Sequence, residues 1–309
     1  MTEHRDRASR QGFLAISICT FGASTSPLFY KLAFATGISA LWVNVFRLLF
    51  TTLVMLSIVL LSPRRRRALL QTSKRSLWIS ALAGTFLAFH LNGWALSLVY
   101  TDSFAASTIL GTYVLLTALF SSIFLKEKTS KGALGGLVIA MAGVVVCNFG
   151  GNLGRLGGNM LALFAAVTEA LYVLCGRMAR REMSAVSYTT VLYSVTLGWM
   201  VVMALLAGGG GGIPGEAVLW AGMLALLSTL LGHSMASVAL KYFKATTVSA
   251  VMMSGMFIGP LLVLIFLKET LTVFTIIGGL VISVGLGWYM VAERREARLI
   301  EQNVAAGIN

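Results

Sequence analysis

The chain has 309 residues, of which 57% are hydrophobic and 11% charged, with a formal net charge of +13. A soluble domain carries about 25% charged residues, so the polar coat of a soluble enzyme, a disordered chain or a nucleic-acid-binding domain is missing. Three cysteines, Cys19, Cys147 and Cys175, lie in apolar runs, and their odd number and spacing give neither a disulfide framework nor a metal-ligand set.

A bilayer core about 30 Å thick is crossed by roughly 20 apolar residues of helix. Ten stretches reach that length, near 12–31, 38–61, 77–99, 103–125, 132–149, 157–177, 186–207, 217–240, 246–267 and 271–292. They predict an all-α integral membrane protein with ten transmembrane helices. The first follows a basic start, and Ala33-Phe34-Ala35 looks like a cleavage site. It is long for a signal peptide and has a counterpart later in the chain, so it is read as an uncleaved span. Its Ser24-Thr25-Ser26-Pro27 run predicts a weakened helix, because proline removes a backbone bond; a packing kink and a hinge beside a cavity both fit.

Arg47 stands in the second span, with Asn44 one turn before it and Thr51 one turn after. In the third, His90, Trp94 and Ser97 share one face, like the wall of a cavity. Tyr113, Thr117 and Ser121 form a stripe on the fourth, and Glu169 sits at the middle of the sixth with Tyr172 on the same face. The glycine run from Gly208 to Gly212, followed by Ile213-Pro214-Gly215, reads as a linker. It lacks the Lys-Ser/Thr ending of a phosphate loop and follows no strand. His233, Ser234 and Ser237 lie in the eighth span, and Met252, Met256 and Pro260 in the ninth.

Charge placement tests this division. With the N-terminus in the cytoplasm, 20 of the 24 Lys and Arg residues fall on the cytoplasmic side. Only Lys31, Arg155 and Lys268 fall outside, and Arg47 is within a span. Cation-rich cytoplasmic loops are the rule for membrane proteins, so both termini are expected inside. The high charge is then a topology signal facing anionic lipid, and no nucleic-acid partner is implied.

Charges at bilayer depth cost at least about 2.5 kcal/mol each on insertion scales. Arg47, His90, Glu169 and His233 are therefore the candidate site residues, together with Asn44, Trp94, Tyr113 and Tyr172 as cavity wall. Arg47 reads either as a structural charge paired to a carboxylate or carbonyls, or as a contact for a substrate carboxylate, which its forked donors suit. Glu169 reads as Arg47's partner, as a proton carrier, or as the binder of a substrate ammonium. His90 reads equally as a hydrogen-bonded structural histidine. No catalytic residues, metal ligands or cofactor motif are found.

The chain repeats itself. Ile123-Phe124-Leu125-Lys126-Glu127 recurs as Ile265-Phe266-Leu267-Lys268-Glu269, and Gly-Gly-Leu-Val-Ile follows at 135–139 and 278–282. Tyr100 matches Tyr242 at the same spacing, and Gly12–Ala33 can be laid on Gly158–Ala179. Such self-similarity marks a repeated architecture. Five spans per half is odd, so the second half is expected upside down, the plan of many secondary transporters with a midplane site between the halves. The halves are 1–149, with a cytoplasmic tail over 1–11, and 150–292, followed by a cytoplasmic tail over 293–309.

These residues resemble the drug/metabolite transporter superfamily, specifically its EamA-type ten-span branch. The resemblance rests on the two Leu-Lys-Glu span endings, the Gly-Gly spans after them, Arg47, and His90-Leu91-Asn92-Gly93-Trp94 before Tyr100-Thr101. Family members often carry a proline about thirteen residues before each motif glutamate; here those positions are Val114 and Met256, and a proline stands at Pro260. The resemblance implies export of amino acids, other small metabolites or toxic compounds across the bacterial inner membrane. It also implies a cavity lined by spans one to four and six to nine. The fifth and tenth spans would be peripheral, with Gly132, Gly135, Gly136, Gly143, Gly278, Gly279, Gly285 and Gly287 serving packing within the chain or a homodimer. The other classes weighed are an intramembrane enzyme and a scaffold or receptor. The first lacks a nucleophile–base or metal motif, and inverted repeats argue against the second.

Overall fold

Inside a bilayer no water is available to backbone amides and carbonyls, so an apolar chain must satisfy them along its own helices. The computed structural model describes residues 2–125, 131–147, 149, 153–208, 212–243, 245–252, 255 and 257–305, and among these every regular element is helical. Lys126, Glu127, residues 209–211 of the glycine run and Met256 lie outside the described residues. The helices are α1 (Thr2–Ser24), α2 (Ser26–Ala35), α3 (Ala40–Leu60), α4 (Pro63–Leu70), α5 (Lys74–Tyr100), α6 (Ser103–Gly111), α7 (Tyr113–Phe124) and α8 (Lys131–Cys147). There follow α9 (Leu153–Ala179), α10 (Ala185–Leu206), α11 (Gly215–Met223), a π-helical segment (Leu224–His233), α12 (Ser234–Tyr242), α13 (Ala245–Met252), α14 (Ile258–Leu267) and α15 (Val273–Ala305).

Among the described residues seven stretches are long and apolar enough to cross a membrane: α3, α5, α6 with α7, Arg155–Ala179 of α9, α10, Gly215–Tyr242, and Val273–Ala292 of α15. Val138–Cys147 and Ile258–Leu267 are shorter apolar helices. The chain is thus an all-α, multi-pass membrane protein. The difference from ten expected spans has a local cause. The first expected span is divided between α1 and α2 and the ninth between α13 and α14, while α8 has 17 residues. Two further features were not expected: α4 carries Arg64 to Arg67, and α15 continues as helix to Ala305, past the expected end of the tenth span.

The breaks have side-chain causes. At the α1–α2 junction Ser24 donates to the Thr20 carbonyl at 2.6 Å and Thr25 to that of Gly22 at 2.8 Å, while Pro27 occupies the first turn of α2. Proline lacks the amide that would continue the ladder. Between α6 and α7 the Thr112 hydroxyl donates to the Ile109 carbonyl at 2.7 Å. In the π-helical segment Thr229 donates to the Leu224 carbonyl, five residues back, at 3.2 Å.

Packing brings α5 along α9, α3 along α10, and α1 along the π-helical segment and α12. To one side α8 lies against α15 with their backbones in contact. A Cβ on Gly136 would lie 2.6 Å from the Gly285 carbonyl oxygen, and one on Gly143 2.7 Å from that of Gly278. Four of the expected packing glycines therefore serve a contact within the chain.

The two ends of the bundle are closed by different chemistry. At one end Lys31 pairs with Glu269 at 2.7 Å, and Glu269 also accepts from the Ser103 amide at 2.9 Å. Arg155 bridges Asp102 and Thr275 beside it. At the opposite end arginines donate to main-chain carbonyls: Arg177 to Leu240 at 2.7 Å, and Arg180 to Ser237 at 2.7 Å. There the exposed Glu182 accepts from Ser76 at 2.5 Å and Ser73 at 3.3 Å.

Candidate functional site

The helix breaks converge on a cavity of about 110 Å³, walled by α3, α5, α6, α9, the π-helical segment and the two broken spans. Of the residues singled out in the sequence, Arg47, His90, Trp94, Tyr113, Glu169 and His233 line it; Asn44 and Tyr172 do not. Asn44 stands behind Arg47. Its Oδ1 accepts from the Tyr30 hydroxyl at 2.5 Å, and its Nδ2 donates to the Leu91 carbonyl at 3.1 Å and to Asn92 at 2.8 Å. Tyr172 is buried edge-on against His233, with ring centroids 5.7 Å apart.

Arg47 is 0% exposed. Its Nε donates to Thr229 at 2.7 Å, Nη1 to the Tyr30 hydroxyl at 2.7 Å, and Nη2 to Ser228 at 3.0 Å. Its guanidinium carbon also lies 5.6 Å from the Tyr30 ring centre. Burying a charge is costly unless its donors are met, and here neutral hydroxyls meet them. The expected alternative of an Arg47–Glu169 ion pair is not what the structure holds. The π-helical turn offers Ser228 and Thr229 to the guanidinium, whereas Glu169 faces α5. Its Oε2 lies 3.4 Å from His90 Nε2, and His90 Nδ1 donates to the Ala165 carbonyl at 3.0 Å.

The His90 and His233 rings meet at 6.0 Å. Trp94 reaches Ser26 of α2 through Nε1 at 3.4 Å, and the Tyr113 hydroxyl donates to the Ser249 carbonyl at 3.1 Å. Each broken span is thereby tied to the wall. Among the described residues no group of three or more His, Cys, Asp or Glu is placed to hold a metal ion. The arrangement offers one buried cation, one carboxyl facing an imidazole, and an aromatic wall. These are groups for holding a small polar molecule with an apolar body.

Sequence reasoning did not find Tyr30, Ser228 and Thr229. Tyr30 lies fourteen residues from its partner Asn44, beyond any helical spacing, and the hydroxyl pair reaches Arg47 across more than half the chain. The one local signal was two adjacent hydroxyls, Ser228-Thr229, inside an otherwise apolar run.

Comparison with known proteins agrees with this architecture. A solved crystal structure of a protein superposes with a TM-score of 0.67, covering 94% of this chain and 99% of the other at 17% identity, so the fold is shared. The uncharacterized transporter YetK of Bacillus subtilis (strain 168) is 28% identical over 154 residues, 47% of this chain and 45% of that protein. The uncharacterized transporter YyaM of the same organism is 26% identical over 195 residues, 60% of this chain and 61% of that protein. The matches thus span about half of one curated relative and three-fifths of the other. The model of the EamA-like transporter family matches twice, over residues 10–149 and 156–291. With both halves matched, this chain belongs to the EamA-like transporter family.

Proposed function

We infer that the protein is a secondary active transporter that exports small amphiphilic metabolites, amino acids among them, across the bacterial inner membrane. It would work by alternating access between two inverted five-span halves, residues 1–149 and 150–292, around the central cavity. The observation that carries this reading is the pair of equivalent breaks beside the cavity. The motif Lys126 recurs as Lys268, an offset of 142. Thr112, where α6 gives way to α7, therefore corresponds to a sequence position between Met252, where α13 ends, and Ile258, where α14 begins. Interrupted spans in corresponding positions of two halves point to a binding site between them.

The packing supports the same plan. A twofold exchange of halves turns the α5–α9 contact into that of α12 and the π-helical segment with α1, and all three elements are so paired. Export is supported by the resemblance to the EamA-type branch. Both termini would be cytoplasmic, on the evidence of the cation asymmetry. A homodimer would use the outward face of α15, where a Cβ added at Gly287 would meet no other part of the chain within 4 Å.

Two measurements test this. A cysteine at Gly208 should react with an impermeant thiol reagent from outside, and one at Arg65 should not; the reverse pattern would overturn the topology. Liposome counterflow with a panel of radiolabelled amino acids, organic acids, cationic drugs and sugars should show exchange of at least one class. Failure of all would sink the transport reading.

A further inference from the structure

The cavity's hydrogen-bond chemistry specifies where a proton sits. A carbonyl oxygen only accepts, so the 3.0 Å contact between His90 Nδ1 and the Ala165 carbonyl places a hydrogen on Nδ1. In neutral His90 the facing Nε2 then carries a lone pair. An ionised Glu169 Oε2 at 3.4 Å would set anion against lone pair. One proton on this pair of groups removes that conflict, whether it resides on the carboxyl or on the imidazole. Either way the pair is neutral in total. Glu169 Oε2 makes no hydrogen bond among the described residues, although the side chain is buried and lines the cavity.

With that pair neutral, Arg47 leaves one positive charge uncompensated. No carboxylate lies within ion-pair distance of it among the described residues. The other titratable groups within electrostatic range of Glu169 are Cys19 of α1, Tyr113 of α7, Tyr172 of α9 and Tyr188 of α10, with His233 beside His90. None of these is a carboxylate. Arg47 has five N–H donors, and three are directed at hydroxyls, which leaves two for a ligand.

Resting on the alternating-access part of the reading above, and departing from its amino-acid substrates and its fixed outward direction, we propose that the cavity carries a small, net-anionic monocarboxylate together with one proton, in an electroneutral step whose direction follows the combined anion and pH gradients. The carboxylate binds at Arg47 and balances its charge, while the proton stays on the Glu169–His90 pair. When the anion leaves, the pair releases its proton, and ionised Glu169, swung off the His90 lone pair, then balances Arg47 in its place. Anion and proton therefore enter and leave together, and no bond other than O–H or N–H is made or broken. A zwitterion brings its own ammonium and would not fill the charge deficit. The cavity is about 110 Å³, against about 150 Å³ for an engineered cavity that takes up benzene, so the occupant is small.

The test uses the purified full chain in liposomes, with labelled lactate, alanine and ethanolamine as anionic, zwitterionic and cationic probes of similar size. Leak into protein-free liposomes is subtracted. The expected result is lactate accumulation driven by acid outside, reaching about tenfold for one pH unit at one proton per anion. A potassium diffusion potential should leave it unchanged, and a trapped pH dye should register one proton per lactate. Alanine and ethanolamine should not accumulate under the same gradient. In Glu169→Gln the response of lactate uptake to the pH gradient should vanish, with melting showing the variant folded. If that variant does not fold, the wild-type proton count and its indifference to potential decide the matter. Lactate that follows the potential without a proton would overturn the proposal. Movement of alanine or ethanolamine but not lactate would also overturn it while leaving the transport reading intact. Movement of none of the three overturns it as well, and the wider counterflow panel then judges the transport reading separately.

Discussion

Tyr30 joins the two parts of the buried network, since its hydroxyl accepts from Arg47 and donates to Asn44. Tyr30→Phe leaves both without that partner in a dry interior. Losing a buried hydrogen bond to a charged group costs about 1.5–3 kcal/mol, so the variant in detergent should melt at lower temperature, and an unchanged melting curve would refute this role. Arg47, His90 and Glu169 were legible in the sequence because a titratable group in a long apolar run is costly and stands out. Their partners were not legible, because hydroxyls are common in spans and the contacts join residues as far apart as Arg47 and Thr229. That is also why sequence reasoning could offer Arg47 to Glu169 but could not see that Ser228 and Thr229 take its place.

Among the elements, α8 and α15 approach backbone to backbone at Gly136, Gly143, Gly278 and Gly285, and a side chain there has nowhere to go. Gly143→Leu would push a Cβ to 2.7 Å from the Gly278 carbonyl oxygen before the rest of the side chain is counted. Overpacking of this kind costs about 1–3 kcal/mol or more, so thermal stability should fall, whereas Gly287→Leu, on an open face, should leave it nearly unchanged. The turn between α9 and α10 offers a pH-dependent case. The Ser76 hydroxyl bonded to Glu182 holds its carboxyl below the usual range, against a smaller opposing effect of burial and with help from Ser73 and Arg75. A depressed folded value means the stabilisation is present above the unfolded pKa and is lost as pH falls through the folded one. Glu182→Gln should therefore melt lower than wild type near neutral pH and match it in acid; a pH-independent difference would contradict this. Helix existence was legible from apolar length, and so was the weak point at Ser24–Pro27. The π-helical segment was not, because its side chains follow no pattern that distinguishes it from an α-helix. The breaks at Thr112 and after Met252 have no proline at the break itself, so nothing in local composition announced them.

Over the whole molecule, the repeat was the most legible feature, because the Leu-Lys-Glu endings and the Gly-Gly spans recur at nearly the same offset, 142 residues for Lys126 and Lys268 and 143 for Gly135 and Gly278. What it left unread is how the ends of the bundle are held. One end joins acids to bases, Lys31 to Glu269 and Arg155 to Asp102. The other sets arginines on carbonyls near helix C-termini, as Arg177 does on Leu240. Attraction between full opposite charges is weakened by dissolved ions, over a screening length of about 8 Å at physiological ionic strength. Hydrogen bonds to main-chain carbonyls are much less sensitive. The Lys31 and Glu269 side chains are 21% and 19% exposed, within reach of solvent ions. Concentrated salt should therefore loosen one end of the carrier and spare the other, so that a thiol placed beside Lys31 labels faster as sodium chloride is raised while one beside Arg177 does not. Ionic strength would then act on the protein as a directional force, favouring whichever compartment the acid–base end faces.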